Sequence, residues 1–78
     1  MLNFNYMKTL FDVQQLLKHF GIYIYIGKRL YDIEMMKIEL QRLFENGLID
    51  KNDYLNAELI LRREHRLELE KEGRKNES

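Results

Sequence analysis

Leu30–Asn46, LYDIEMMKIELQRLFEN, becomes apolar on two opposite faces when it is wound at helical spacing. Ile33, Met36, Leu40, Leu43 and Phe44 fall on one stripe, and Tyr31, Met35 and Ile38 recur at i, i+4 and i+7 on the other side. Asp32, Glu34, Glu39, Gln41 and Glu45 border the two stripes. A helix of this kind is expected to lie between neighbours, so the chain is read as a bundle built around it.

Each flank of this stretch carries helix punctuation. On the N-terminal side Thr9 is a candidate N-cap with Asp12 at N3, and Leu10, Val13, Leu16, Leu17 and Phe20 make the buried stripe of a first helix. Gly21 supplies its left-handed C′ position, with Ile22 at C″ placed to meet Leu17. On the C-terminal side Gly47 plays the same part for the second helix, with Leu48 opposite Leu43. Asp50 then caps a third helix, Asp53 sits at N3, and Ile49 with Tyr54 has the spacing of a hydrophobic staple, so helices two and three are expected to form a tight antiparallel hairpin.

The third helix should bury Tyr54, Ala57, Ile60 and Leu61. Its next stripe position is Glu64, so packing is expected to stop near there. The remainder is nearly all charge, which predicts a solvated helical extension that frays near Gly73, with a partly disordered tail over residues 68–78. Between the first two helices, Ile22–Ile26 (IYIYI) alternates strictly, with three isoleucines on one side and Tyr23 and Tyr25 on the other. It reads as an extended connector laid over the helices, or as an edge that pairs with another copy or with the N-terminus, because one strand cannot satisfy its own ladder. At the N-terminus Leu2, Phe4 and Tyr6 also alternate, over too short a run to assign.

The expected fold is therefore all-α: a three-helix bundle in a single domain over residues 1–78, with a core over about residues 8–64, one extended segment near 22–26 and a charged C-terminal extension. At 78 residues such a domain hides only about 60% of its unfolded surface, so its stability should be modest. The sequence has no cysteine, so neither a disulfide nor a thiolate metal site supplements the core. No apolar run reaches the roughly 18 residues of a membrane span, and the start lacks the pattern of a signal peptide, which together predict a cytoplasmic protein without membrane contact.

Three segments, TLFDVQQLLKHFG, IYIGKRLYDIEMMKIEL and LIDKNDYLNAELILRRE, resemble the YqgQ-like family of short uncharacterised bacterial proteins, over roughly residues 8–64. The resemblance implies a compact helical bundle and a cytosolic bacterial origin, and it brings no catalytic residue with it.

Thirteen basic and thirteen acidic side chains cancel, which excludes the global charge of a strongly basic nucleic-acid binder and leaves only local patches. Catalytic constellations are thin: Ser78 is terminal, Thr9 is occupied as a cap, and His19 and His65 lack metal-ligand spacing. The pairs Asp32/Glu34 and Asp50/Asp53 each sit near a helix start, where acids suit the macrodipole. No enzyme activity, cofactor, metal or small-molecule substrate is expected.

Two binding readings remain. From Val13 to Tyr31 there are Lys18, Lys28 and Arg29 and no acid, a locally positive strip around Tyr23 and Tyr25 that suits single-stranded RNA or DNA, since unpaired bases stack on aromatic rings. Three neutralised phosphates would give a salt slope near about −2. The bland counterpart is that both tyrosines are half-buried packing residues. The alternative is a protein adaptor or a self-associating structural protein that uses the second apolar faces, Tyr31, Met35 and Ile38 on helix two and Leu55 and Leu59 on helix three.

Overall fold

The computed structural model describes residues 7–76, and side chains through Gly73. Three helices follow one another: α1 (Leu10–His19), α2 (Arg29–Glu45) and α3 (Lys51–Asn76), with no strand among the described residues. The N-terminal alternation of Leu2, Phe4 and Tyr6 lies outside them. The molecule measures 48 × 21 × 19 Å, and the 26 residues of α3 account for most of the long dimension.

The helix ends follow from local chemistry. Thr9 and Asp12 form a reciprocal capping box: the Asp12 amide donates to Thr9 Oγ1 (3.3 Å), while the Lys8 and Thr9 amides donate to Asp12 Oδ2 (2.8 and 3.0 Å). Those amides hold the Asp12 carboxyl below the usual carboxylate range. Both glycine C-caps are complete Schellman motifs. Gly21 (φ 77°) donates to the Lys18 carbonyl and Ile22 to that of Leu17; Gly47 (φ 72°) donates to Phe44 and Leu48 to Leu43. At the start of α3, Asp50 Oδ1 accepts from the Asp53 amide at 2.7 Å. Burial, and then the nearby Asp50 charge, push the Asp53 carboxyl up.

The core is assembled from Leu10, Val13, Leu16 and Leu17 of α1, Ile33, Met36, Leu40 and Leu43 of α2, and Ala57, Ile60 and Leu61 of α3, with Ile49 in the turn. No charged or polar residue is buried among the described residues. Phe44 and Tyr54 close the turn end as a parallel ring stack, centroids 4.3 Å apart and planes 7° from each other. Met7 also enters the core, at 6% exposure. Its carbonyl accepts from Asn56 Nδ2 (3.2 Å) and the Lys8 carbonyl from Arg63 Nη2 (3.0 Å), so α3 pins the entry to α1.

One expectation needs correction. Helix α2 does not lie between neighbours: its first stripe is buried, but Tyr31, Met35 and Ile38 are 47%, 36% and 46% exposed. Among the described residues the other helix free to cover that side, α1, packs with α3 on the first stripe instead. Along α3 the apolar packing ends at Leu61, as the stripe predicted, and no apolar side chain beyond it is buried among the described side chains. The helix itself continues to Asn76, and the residues beyond Leu61 that are half-buried are Glu64, His65, Glu68 and Glu72.

Candidate nucleic-acid interface

Ile22–Ile26 is a connector without regular secondary structure and pairs with no strand among the described residues. Both of its sides are apolar in composition, so the choice of inward face rests on the phenol hydroxyl: isoleucine can be dehydrated without loss, whereas a tyrosine needs a partner for its O–H. Ile22 and Ile24 accordingly pack on the core, and Tyr23 and Tyr25 stand out at 64% and 74% exposure. Neither tyrosine is a packing residue. The connector is anchored at its end by the Ile26 amide, which donates to Asp32 Oδ1 at 2.7 Å.

Around the connector, rings and cations alternate. Lys18 Nζ lies 5.8 Å from the Tyr25 ring centroid and Lys28 Nζ lies 5.0 Å from that of Tyr31, within the range of about 6 Å over which a ring attracts a cation. Beside Tyr25 there is a hollow of about 10 Å³, room for a single water, edged by Gln14 and Lys18 over Leu17, Ile24 and Met36. The structure therefore brings Lys18, Tyr25, Lys28 and Tyr31 into ring–cation pairs and places Tyr23 on the same outward side of the connector.

The strip is acid-free in sequence and not in space. Because α3 runs back along α2, each step forward on α2 meets a step back on α3: Phe44 faces Tyr54, Glu34 faces His65, and the start of α2 faces the end of α3. Arg29 reaches Glu64 Oε2 (3.4 Å) and Glu68 Oε2 (3.6 Å), and Lys28 reaches Glu72 Oε1 (3.4 Å). Two cations at the positive end of a helix dipole are unfavourable on their own. The three acids offset them. Of the strip's three cations, Lys18 alone has no acid partner among the described residues.

These glutamates are the site residues that sequence reasoning missed. Their spacing, i, i+4 and i+8, was a usable signal: it lines one side of a helix, and the hairpin register carries that side to Lys28 and Arg29. The histidines serve ordinary contacts, His65 Nε2 with Glu34 Oε2 at 2.9 Å and His19 edge-on to Phe20 at 5.0 Å. No group of side chains with metal-holding geometry occurs among the described residues, and no helix there is long and apolar enough to cross a membrane.

The alternative surface is equally open. Leu55 and Leu59 are 45% and 63% exposed and, with Glu58 and Arg62, line a shallow trough of about 240 Å³ on the outer side of α3. The described residues of the chain cover neither second face.

The YqgQ-like family model matches residues 7–67, which begins at the buried Met7 and includes Glu64 of the three glutamates that meet Lys28 and Arg29. The chain is also similar to a Bacillus subtilis (strain 168) protein named "Uncharacterized protein YqgQ", 47% identical over 68 residues that make up 87% of this chain and 93% of that protein. On both grounds the chain belongs to the YqgQ-like family.

Proposed function

We propose that the protein is a non-catalytic binding module that takes single-stranded nucleic acid on the connector, with Tyr23 and Tyr25 as stacking platforms and Lys18 and Lys28 as phosphate contacts. The observation that carries this reading is the outward stance of both tyrosines, 64% and 74% exposed on a connector that Ile22 and Ile24 hold to the core. Stacking on such rings contributes about 1–3 kcal/mol per base and tolerates sequence. Arg29, engaged by two glutamates, is the weakest of the expected phosphate contacts.

With Lys18 lacking an acid partner among the described residues and Lys28 held by one ion pair to Glu72, the electrostatic demand falls below the three phosphates counted in sequence. A fluorescence titration with short RNA and DNA single strands should give a slope of log K against log salt between about −0.7 and −1.4, with duplex DNA binding no better. Tyr25→Ala should weaken binding by about 1–3 kcal/mol at every salt concentration while changing the melting temperature little, because the side chain is 74% exposed. Absence of any salt-sensitive binding at low ionic strength would overturn the reading.

The second reading, a protein adaptor or self-associating protein, rests on the exposure of all five second-face residues, Tyr31, Met35, Ile38, Leu55 and Leu59. It requires concentration-dependent association or capture of a partner that weakens when Met35 and Ile38, or Leu55 and Leu59, become polar. Sedimentation as a monomer at high micromolar concentration would remove the self-associating form.

A further inference from the structure

The distal half of α3 inverts the usual order of an amphipathic helix. Beyond Leu61 its half-buried positions are Glu64, His65, Glu68 and Glu72, while Leu67 and Leu69 are exposed at 37% and 50%. Four residues of helix rise about 6 Å, so Glu64, Glu68 and Glu72 present carboxylates at a regular interval along one edge. That edge lies on Lys28 and Arg29 at 3.4–3.6 Å, the two cations beside Tyr31 and the C-terminal end of the connector. The cations remain about half exposed, 49% and 51%, so they are reachable from solvent while paired.

We infer that this glutamate ridge is a built-in competitor for phosphate: it occupies Lys28 and Arg29 in the free protein, and a nucleic-acid strand reaches those cations only by displacing it. The inference rests on the connector being the strand's site and assigns the regulation of that site to the distal part of α3. Two features make displacement possible. Each link is an ion pair whose cation is about half exposed to solvent, so it is weak and salt screens it. No buried apolar side chain of α3 lies beyond Leu61 among the described side chains, so nothing hydrophobic ties this half of the helix to α2. The ridge therefore lowers affinity at low salt and flattens the salt response, since a cation must release its carboxylate before it can take up a phosphate.

The test uses the full chain and a fluorescently labelled oligothymidylate of about twelve nucleotides. A ridge variant, E64Q/E68Q/E72Q, is compared with a control of equal charge change, E39Q/E58Q/E70Q, whose glutamates pair within their own helices with Arg42, Arg62 and Arg66. The ridge variant should bind on the order of tenfold tighter at low salt, with a slope steeper by about 0.7 to 1.4, and the control should follow wild type. The increase should vanish when Lys28→Gln and Arg29→Gln are added, which separates release of these cations from a general change in charge or helicity. Equal affinities for ridge and control variants, with wild-type binding still dependent on Tyr25, would overturn the ridge and leave the connector reading intact. No Tyr25-dependent binding by any variant would overturn both.

Discussion

At the turn, α2 and α3 are joined through Leu40, Leu43, Phe44, Tyr54, Ala57 and Leu61; at the far end the same two helices are joined through Lys28, Arg29, Glu34, Glu64, His65, Glu68 and Glu72. The first set removes apolar surface from water and is indifferent to salt. The second set exchanges hydrated charges for paired ones, each worth about 0–1 kcal/mol and screened over about 8 Å at physiological ionic strength. One hairpin thus has an end that sets stability and an end whose contacts change with salt. A helix pair needs only one dry end to hold its register, and the other is left free to respond to solution conditions.

Cutting into the dry end tests this contrast most severely. Leu40 is 1% exposed, and Leu40→Ala should cost about 2–5 kcal/mol, close to the whole margin of so small a domain, read as a fall in the urea midpoint. Gly47→Ala comes next. No atom lies within 4 Å of where its Cβ would be, so the cost is the left-handed backbone alone, about 1–2 kcal/mol, and Gly47→Asn should recover part of it. At the ionic end, Arg29→Gln should cost less than about 1 kcal/mol in dilute buffer and nothing measurable near 1 M salt, where screening shortens to about 3 Å. If Arg29→Gln proved as damaging as Leu40→Ala, the contrast between the two ends would fail. Native-state hydrogen exchange should follow the same order, with amides of α3 beyond Leu61 opening well before those around Ala57 and Leu61.

A smaller effect belongs to the cap that starts α1. The folded protein holds the Asp12 carboxyl below its ordinary value of 3.8, so its contribution is complete above that value and fades as pH falls through the lower folded-state value. Melting followed from neutral pH into the acid range should show this loss in the wild type below about pH 3.8, and Asp12→Asn should show a shallower acid limb.

The dry end was legible in the sequence because all of its information is local. Thr9 with Asp12, the two C′ glycines and Asp50 mark helix limits within a few residues of where they act, and the spacing of Ile33, Met36, Leu40 and Leu43 marks the face that packs. The ionic end was not legible in the same way. Arg29 and Glu64 are 35 residues apart, so the partnership exists only once the antiparallel register of the hairpin is fixed, and a window that spans Val13 to Tyr31 registers positive charge without its counterions. Periodicity also promised helix α2 a second neighbour, which a chain with one remaining short helix could not supply. Met7 escaped because a single apolar residue ahead of a cap has no period to betray it. The alternation of the connector separated Ile22 and Ile24 from Tyr23 and Tyr25 but misplaced Ile26, which is 53% exposed, and it left the inward face to the chemistry of a hydroxyl group.

The Phe44–Tyr54 stack has a practical corollary. The chain contains five tyrosines and no tryptophan, so its near-ultraviolet spectrum is written by tyrosine. Tyr54 is clamped flat against a neighbouring ring at the dry end, an asymmetric setting that lends it a circular-dichroism band that survives only while the two rings stay together. Tyr23 and Tyr25 face water, where a dissolved quencher such as iodide or acrylamide reaches their emission and a bound strand would shield it. The molecule therefore carries two optical channels of its own, one tied to the integrity of the hairpin and one to the exposure of the connector, so the proposed binding can be tested apart from unfolding without attaching any dye.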